Sequence, residues 1–211
     1  MATGDDLDTI DRKVTQVFAL VSQALGRATH ALLDGDLTLA RTVVEGDQVV
    51  DDLTAEVELL VWAQIDRGPA ASELRQLVGM LLILPELERS ADLAEHVAQR
   101  AVDNLGVEMS PLSRGIVQRM TEVALDMWRT AADAYGDRTS RSSGLAEDDK
   151  EMDILHGRLM GEIAAEAMPM PVASQVTLLA RFYERLGDHA VNLARRVELL
   201  APPDDRHPAG A

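Results

Sequence analysis

The chain has 211 residues, and its 36 acidic against 20 basic side chains give a formal net charge of −16. An acidic surface of this kind repels phosphate backbones, which argues against a nucleic-acid-binding protein. Cysteine is absent, which excludes disulfides and thiolate metal sites and fits a reducing compartment. The acidic start of the chain is unlike a signal peptide, and no apolar run approaches the roughly 20 residues that span a bilayer. We therefore expect a cytoplasmic protein.

Apolar residues recur every three or four positions in the first half, which predicts long amphipathic helices. These helices are predicted at about residues 7–33, 37–65 and 72–104. Asp34-Gly35-Asp36 ends the first helix and caps the second, and Arg67-Gly68-Pro69 ends the second. Ser72 is the predicted N-cap of the third helix, in which Pro85 removes a hydrogen bond and predicts a kink.

The second half repeats this plan. Its helices are predicted at about residues 110–135, 146–167 and 173–200. A polar segment at 136–144 is a predicted loop, Met168-Pro169-Met170-Pro171 is a break, and the proline-containing tail 202–211 is expected to be disordered. Three helices followed by three helices predict an all-α fold, a tandem repeat of two antiparallel three-helix bundles at 1–106 and 107–201.

Each half carries two pairs of carboxylates spaced four residues apart, which places each pair on one helical face. The pair on the third helix recurs 96 positions later on the sixth, and the pair on the second recurs 102 positions later on the fifth. This correspondence indicates an internal duplication. The paired residues are Asp47, Asp51, Glu88, Asp92, Asp149, Asp153, Glu184 and Asp188.

Four carboxylates at one seam between helices would suit a cation bound through oxygen, with iron, manganese, magnesium, zinc and calcium all compatible. The alternative is a solvated helix flank, since arginines such as Arg89 and Arg185 follow the pairs directly. His96 is either a nitrogen ligand or a surface residue, and His156 and His189 are expected to be packing or rim residues. No Glu-x-x-His occurs, which argues against a buried di-iron site, and no catalytic motif indicates an enzyme.

The run from Phe182 to Ala194, Phe-Tyr-Glu-Arg-Leu-Gly-Asp-His-Ala-Val-Asn-Leu-Ala, combined with the duplicated acidic pairs and Glu73-Leu74-Arg75, resembles the PhoU family of phosphate-transport regulators over about residues 7–200. The resemblance implies a cytoplasmic, non-enzymatic adaptor that restrains phosphate uptake and phosphate-starvation signalling. Its implied partners are the ATPase of the phosphate ABC transporter and a phosphate-sensing histidine kinase, through which alone it would reach the membrane.

Some members of this family bind multinuclear iron or zinc through such acidic pairs, so the resemblance makes the same eight carboxylates candidate ligands. Manganese or magnesium would also suit them, and no organic cofactor is implied. The first half departs from the family pattern at Ser90-Ala91, at His96 and at Pro85, so the second half follows the pattern more closely.

Two other functions remain open from the sequence. The chain could bind or store metal as its purpose in itself, or it could be a structural helical module whose acidic flanks are only solvated. Apolar faces of long helices often pair, so we expect a homodimer.

Overall fold

The computed structural model describes residues 4–138, 142–165 and 168–197. Within these ranges the chain is helical and contains no strand, which confirms the all-α prediction. In chain order the helices are α1 (Gly4–Asp34), α2 (Leu37–Ile65), α3 (Ala71–Val102), α4 (Leu105–Glu108), α5 (Pro111–Asp137), α6 (Ser142–Ala165) and α7 (Met170–Val197).

The six long helices form two three-helix bundles that share one apolar core. Helices α1, α2 and α3 pack together, as do α5, α6 and α7, and the two bundles meet where α1 contacts α5 and α3 contacts α7. The predicted apolar stripe of α1 faces this core, with Ile10, Val14, Val17 and Val21 fully buried. None of the helices in the described ranges is long and apolar enough to cross a membrane.

Local signals set most helix ends. Asp36 caps α2 as predicted, and its carboxylate accepts hydrogen bonds from the backbone N–H groups of Thr38 and Leu39 at 3.0 and 2.9 Å. The prediction for the start of α3 was wrong. Ser72 lies inside that helix, and the cap is formed by Glu73, whose side chain accepts from the N–H of Ala70 at 3.0 Å.

Three further boundaries differ from the sequence prediction. The short helix α4 stands where only a break was expected, because Asn104 adopts a left-handed conformation with φ of 60° and the chain re-enters a helical turn. Both ends of the predicted loop 136–144 are helical, as α5 ends at Asp137 and α6 begins at Ser142. Helix α7 begins at Met170, since Pro171 is tolerated in a first turn. Residues 139–141, 166–167 and the tail from 198 lie outside the described ranges.

Helix α3 continues as one helix through Pro85. Its neighbour α7 is joined to it by a buried polar group in which Ser90 Oγ lies 2.9 Å from His189 Nδ1. Beside them, Arg196 Nη2 lies 2.9 Å from the carboxylate of Glu86, whose residue exposure is only 5%. Because a buried carboxylate is costly unless it is paired, these contacts hold α3 and α7 in one relative position.

A second buried polar group joins α1, α5 and α7. The hydroxyl groups of Thr29 and Tyr183 are 2.6 Å apart, and Thr121 donates to Thr29 at 3.1 Å. The indole N–H of Trp128 on α5 also donates to the backbone oxygen of Phe18 on α1 at 2.9 Å. The two bundles therefore pack in a specific register, which positions the acidic helices α2, α3, α6 and α7.

Candidate functional site

The first half brings three of its predicted carboxylates to one point between α2 and α3. Asp47 and Asp51 on α2 and Asp92 on α3 each offer an oxygen, and these oxygens lie within 4.8 Å of one another. Glu88 lies one helical turn before Asp92, on the same face of α3. We call these four residues the first acidic cluster.

Electrostatics in the first acidic cluster favour a positive partner. Partial burial, followed by repulsion from Asp51, Asp92, Glu95 and Glu88, raises the pKa of Asp47 to about 6. Burial and the neighbouring carboxylates likewise raise the pKa values of Glu88 and Asp92. Like charges held this close repel one another and lower the stability of the fold, so a bound cation would reduce this repulsion.

The donor set fits a hard or borderline cation. Carboxylate oxygens are the ligands that magnesium, manganese and iron accept readily, and zinc also binds them. The three converging oxygens come from two helices that pack directly on each other, so the cluster is built on rigid elements.

The second half places its four predicted carboxylates near one another, but with cations of its own. Burial, then Asp153 and Asp188, raise the pKa of Asp149, while Arg195 opposes this change. Glu184 pairs with Arg181 and lies 3.8 Å from His156 Nε2. In the part of the chain that the structure describes, no three acidic or histidine ligands of this half converge as closely as those of the first acidic cluster.

The geometry therefore differs from the sequence expectation. The second half follows the family pattern more closely and was therefore the expected metal site, whereas the closest approach of carboxylates is in the first half. The two halves differ around this carboxylate. Arg181 pairs with Glu184 and His156 lies 3.8 Å from it, whereas the corresponding positions of the first half are Pro85 and Thr54. We call the group of Asp149, Asp153, Glu184 and Asp188 the second acidic cluster.

The three histidines considered in the sequence analysis occupy different environments. His96 is exposed, and its ring stacks on Phe182 with centroids 5.3 Å apart, as the surface interpretation predicted. His189 is buried between α3 and α7, where desolvation lowers its pKa. His156 lies at the rim of the second acidic cluster, within 3.8 Å of Glu184.

Sequence reasoning missed two contributors to this surface. Glu95 acts on Asp47 across the helix pair, and its spacing of three from Asp92 was an available signal. Trp62 on α2 and Pro85 on α3 line an open pocket of about 410 Å³ next to Asp51 and Glu88. The periodicity of α2 does not single out Trp62, whose indole N–H donates to Glu58 one turn earlier on the same helix at 3.4 Å. The pocket itself exists only because Leu81, Leu84 and Pro85 of α3 form its other wall.

Comparison with known proteins identifies the family of the chain. The PhoU domain family matches residues 14–101 and 117–197, one segment in each bundle. The chain belongs to the PhoU family. Similar relatives include the phosphate-specific transport system accessory protein PhoU homolog of Rhizobium meliloti (strain 1021), which is 29% identical over 95% of this chain and 87% of the relative. PhoU homolog 2 of Mycobacterium tuberculosis (strain ATCC 25618 / H37Rv) is 31% identical over 92% of this chain and 93% of its own length.

Solved PhoU structures share the fold. PhoU from Pseudomonas aeruginosa superposes with a TM-score of 0.85 at 27% identity, covering 93% of this chain and 97% of that protein. The phosphate transport system regulatory protein PhoU from Streptococcus pneumoniae gives a TM-score of 0.80 at 20% identity, over 92% and 94% of the two chains, and supports the fold alone. The tandem three-helix architecture expected from the sequence is thus the PhoU architecture.

Proposed function

We propose that this protein is a negative regulator of phosphate uptake and of phosphate-starvation signalling. The observation that carries the proposal is similarity over nearly the whole chain to proteins named as accessory proteins of the phosphate-specific transport system. In this proposal the chain works in the cytoplasm as a homodimer and reaches the membrane only through its partners.

The proposed mechanism is binding without chemistry. The chain would act as an adaptor between the transporter ATPase and the phosphate-sensing histidine kinase. An adaptor transmits a signal only if it binds two states of a partner with different affinity. A rigid pair of bundles with a net charge of −16 suits this role, because electrostatic complementarity to a basic patch sets both specificity and association rate.

The acidic clusters are proposed as metal sites on the surface of this adaptor. Asp47, Asp51 and Asp92 would hold iron or zinc, with manganese or magnesium as further candidates, and the second acidic cluster would hold a second site. A bound metal would supply positive charge to carboxylates that now repel one another. The support is the convergence of three oxygens within 4.8 Å.

Metal binding or storage as the main function is the second candidate, and the same convergence favours it. The two candidate functions predict different metal content in the purified protein and different effects of deleting the gene. A storage protein should carry stoichiometric metal after expression with metal present, and its deletion should leave phosphate control intact. An adaptor should lose phosphate control on deletion, whatever its metal content.

The deciding experiment is phosphate uptake in a deletion strain grown in excess phosphate, with expression of starvation-induced genes followed in parallel. We expect both to rise and a plasmid copy to restore control. Copurification with the transporter ATPase and the kinase under the same conditions tests the adaptor step. If neither uptake nor expression changes, and purified protein holds stoichiometric metal, the storage function replaces this proposal.

A further inference from the structure

An open pocket between α2 and α3 combines apolar and acidic walls. Its volume is about 410 Å³, and the residues that define it here are Asp51, Glu58, Trp62, Leu81, Pro85 and Glu88. Trp62 is 49% exposed although it is one of the largest apolar side chains of the protein. We call this feature the Trp62 pocket.

The internal duplication shows what the Trp62 pocket lacks. Glu88 corresponds to Glu184, and Pro85 corresponds to Arg181, at the same offset of 96 residues. In the second half Arg181 pairs with Glu184. In the first half no cation among the described residues forms an ion pair with Glu88.

A second correspondence also shows a partner of Glu184 that Glu88 lacks. Thr54, which lines the Trp62 pocket, corresponds to His156 at the offset of 102 residues. His156 lies 3.8 Å from Glu184, so the second half supplies two cationic or titratable partners at places where the first half supplies none. The first half keeps the carboxylate, on which the charge of Arg89 also acts, and has an open pocket at the places that Arg181 and His156 occupy in the second half.

Arginine is the side chain that matches these walls best. Its planar guanidinium pairs with carboxylates such as Glu58 and Glu88 and stacks on an indole face such as that of Trp62. Apolar side chains also line the pocket, namely Ala55 on α2 and Leu81, Leu84 and Pro85 on α3. An occupant would therefore carry apolar residues beside its arginine.

We propose that the Trp62 pocket docks an arginine from an apolar and basic segment of a partner protein, which takes the place that Arg181 occupies in the second half. This inference rests on the proposed function as a binding adaptor and names the chemistry of one contact. The supporting observations are the acidic and aromatic walls of the pocket and the internal cation of the duplicated half.

The test uses the full chain and a synthetic helical peptide with leucines on one face and a single central arginine. A second peptide carries citrulline, the uncharged isostere, at that position. Binding is measured by calorimetry in metal-free buffer and by the change in tryptophan emission. We expect this change to arise at Trp62, since the other tryptophan, Trp128, is only 2% exposed. We expect the arginine peptide to bind at least about tenfold more tightly than the citrulline peptide.

Variants separate the pocket from the general acidity of the protein. Pro85→Arg copies the second half and should fill the pocket with the chain's own cation, and Glu58→Gln removes a wall charge without touching a candidate metal ligand. Each substitution should weaken binding of the arginine peptide by at least about tenfold. Glu45→Gln is the matched control, because Glu45 is exposed on α2 and does not line the pocket, and it should leave binding unchanged.

Several results would overturn the proposal. These are no binding at millimolar peptide, equal binding of the citrulline peptide, or equal losses in Glu45→Gln and Glu58→Gln. A different outcome would identify a metal pocket instead. In that case Mn²⁺ alone changes the emission of Trp62, Pro85→Arg abolishes this change, and peptide binding does not depend on the arginine. The peptide assay reports docking alone, so a deletion strain with normal phosphate control would refute the proposed function and leave this result standing.

Discussion

Gly106 in α4 has no room for a methyl group. A Cβ atom added there would lie 1.8 Å from the backbone oxygen of Leu32 and 2.9 Å from its carbonyl carbon. Non-bonded carbon and oxygen atoms do not approach to 1.8 Å, and the obstacle is backbone at the end of α1. The substitution Gly106→Ala must therefore push α4 away from α1.

The expected cost follows from what α4 holds. Overpacking in a rigid environment costs about 1–3 kcal/mol. Arg114 donates to the backbone oxygen of Gly106 at 2.6 Å and also to that of Leu33, and a charged hydrogen bond contributes about 1.5–3 kcal/mol. Displacement of α4 breaks at least the first of these bonds. We expect a loss of about 3–5 kcal/mol, which lowers Tm by roughly 10 °C for a chain of this size.

Thermal and urea unfolding followed by circular dichroism measure this effect. The matched control is Gly157→Ala on α6, where an added Cβ meets nothing within 4 Å. Alanine there should stabilise the helix by about 0.5–1 kcal/mol. Opposite signs for the two alanine variants support the close approach of α4 to α1. A Gly106→Ala protein as stable as the parent would refute the packing described here.

Three further predictions concern buried or clustered polar groups. Tyr183→Phe removes the hydroxyl that lies 2.6 Å from Thr29 and should cost about 1 kcal/mol in urea unfolding; no loss would mean that this contact contributes nothing net. Glu86→Ala leaves Arg196 without its carboxylate partner and should cost about 2 kcal/mol, with faster amide exchange in α7, whereas Glu86→Gln should retain part of both. Asp47→Asn should stabilise the metal-free protein by about 1 kcal/mol near pH 7.5, because the cluster then loses one repelling charge.

The pH dependence gives the Asp47 prediction its sign. Burial and neighbouring carboxylates raise the pKa of Asp47 from 3.8 to about 6, so the folded state holds this proton more tightly than the unfolded chain. The resulting stabilisation is present below pH 3.8 and is lost as the pH rises through about 6. The gain in Asp47→Asn should therefore shrink as the pH falls from 7.5 toward 4.5, and a gain independent of pH would contradict the argument.

Much of the local structure followed from short-range patterns. The stripe of Ile10, Val14 and Val17 predicted α1, and Asp36 predicted the start of α2, because periodicity and capping act within a few residues. The same locality misled the prediction at Ser72, where a good capping residue lies inside α3 and Glu73 forms the cap instead. Helix α4 was missed because four residues are too few for a periodic signal.

The carboxylate pairs show where local reasoning ends. A spacing of four placed Glu88 and Asp92 on one face of α3, and the sequence alone determined that much. Whether two such faces meet depends on the packing of α2 on α3, which brings Asp47 and Asp51 to Asp92. The Trp62 pocket, likewise, has walls from both helices.

The sequence by itself determined the helices, the duplication and the acidic faces, since these depend on residues within a turn or two and on similarity between the halves. Only the tertiary structure decided that the carboxylates of the first half converge and that His156 of α6 lies 3.8 Å from Glu184 of α7. The same holds for the buried contact of Ser90 and His189, 99 positions apart. Periodicity reports which face of a helix is apolar, whereas the identity of the face packed against it is set by the long-range fit of the whole core.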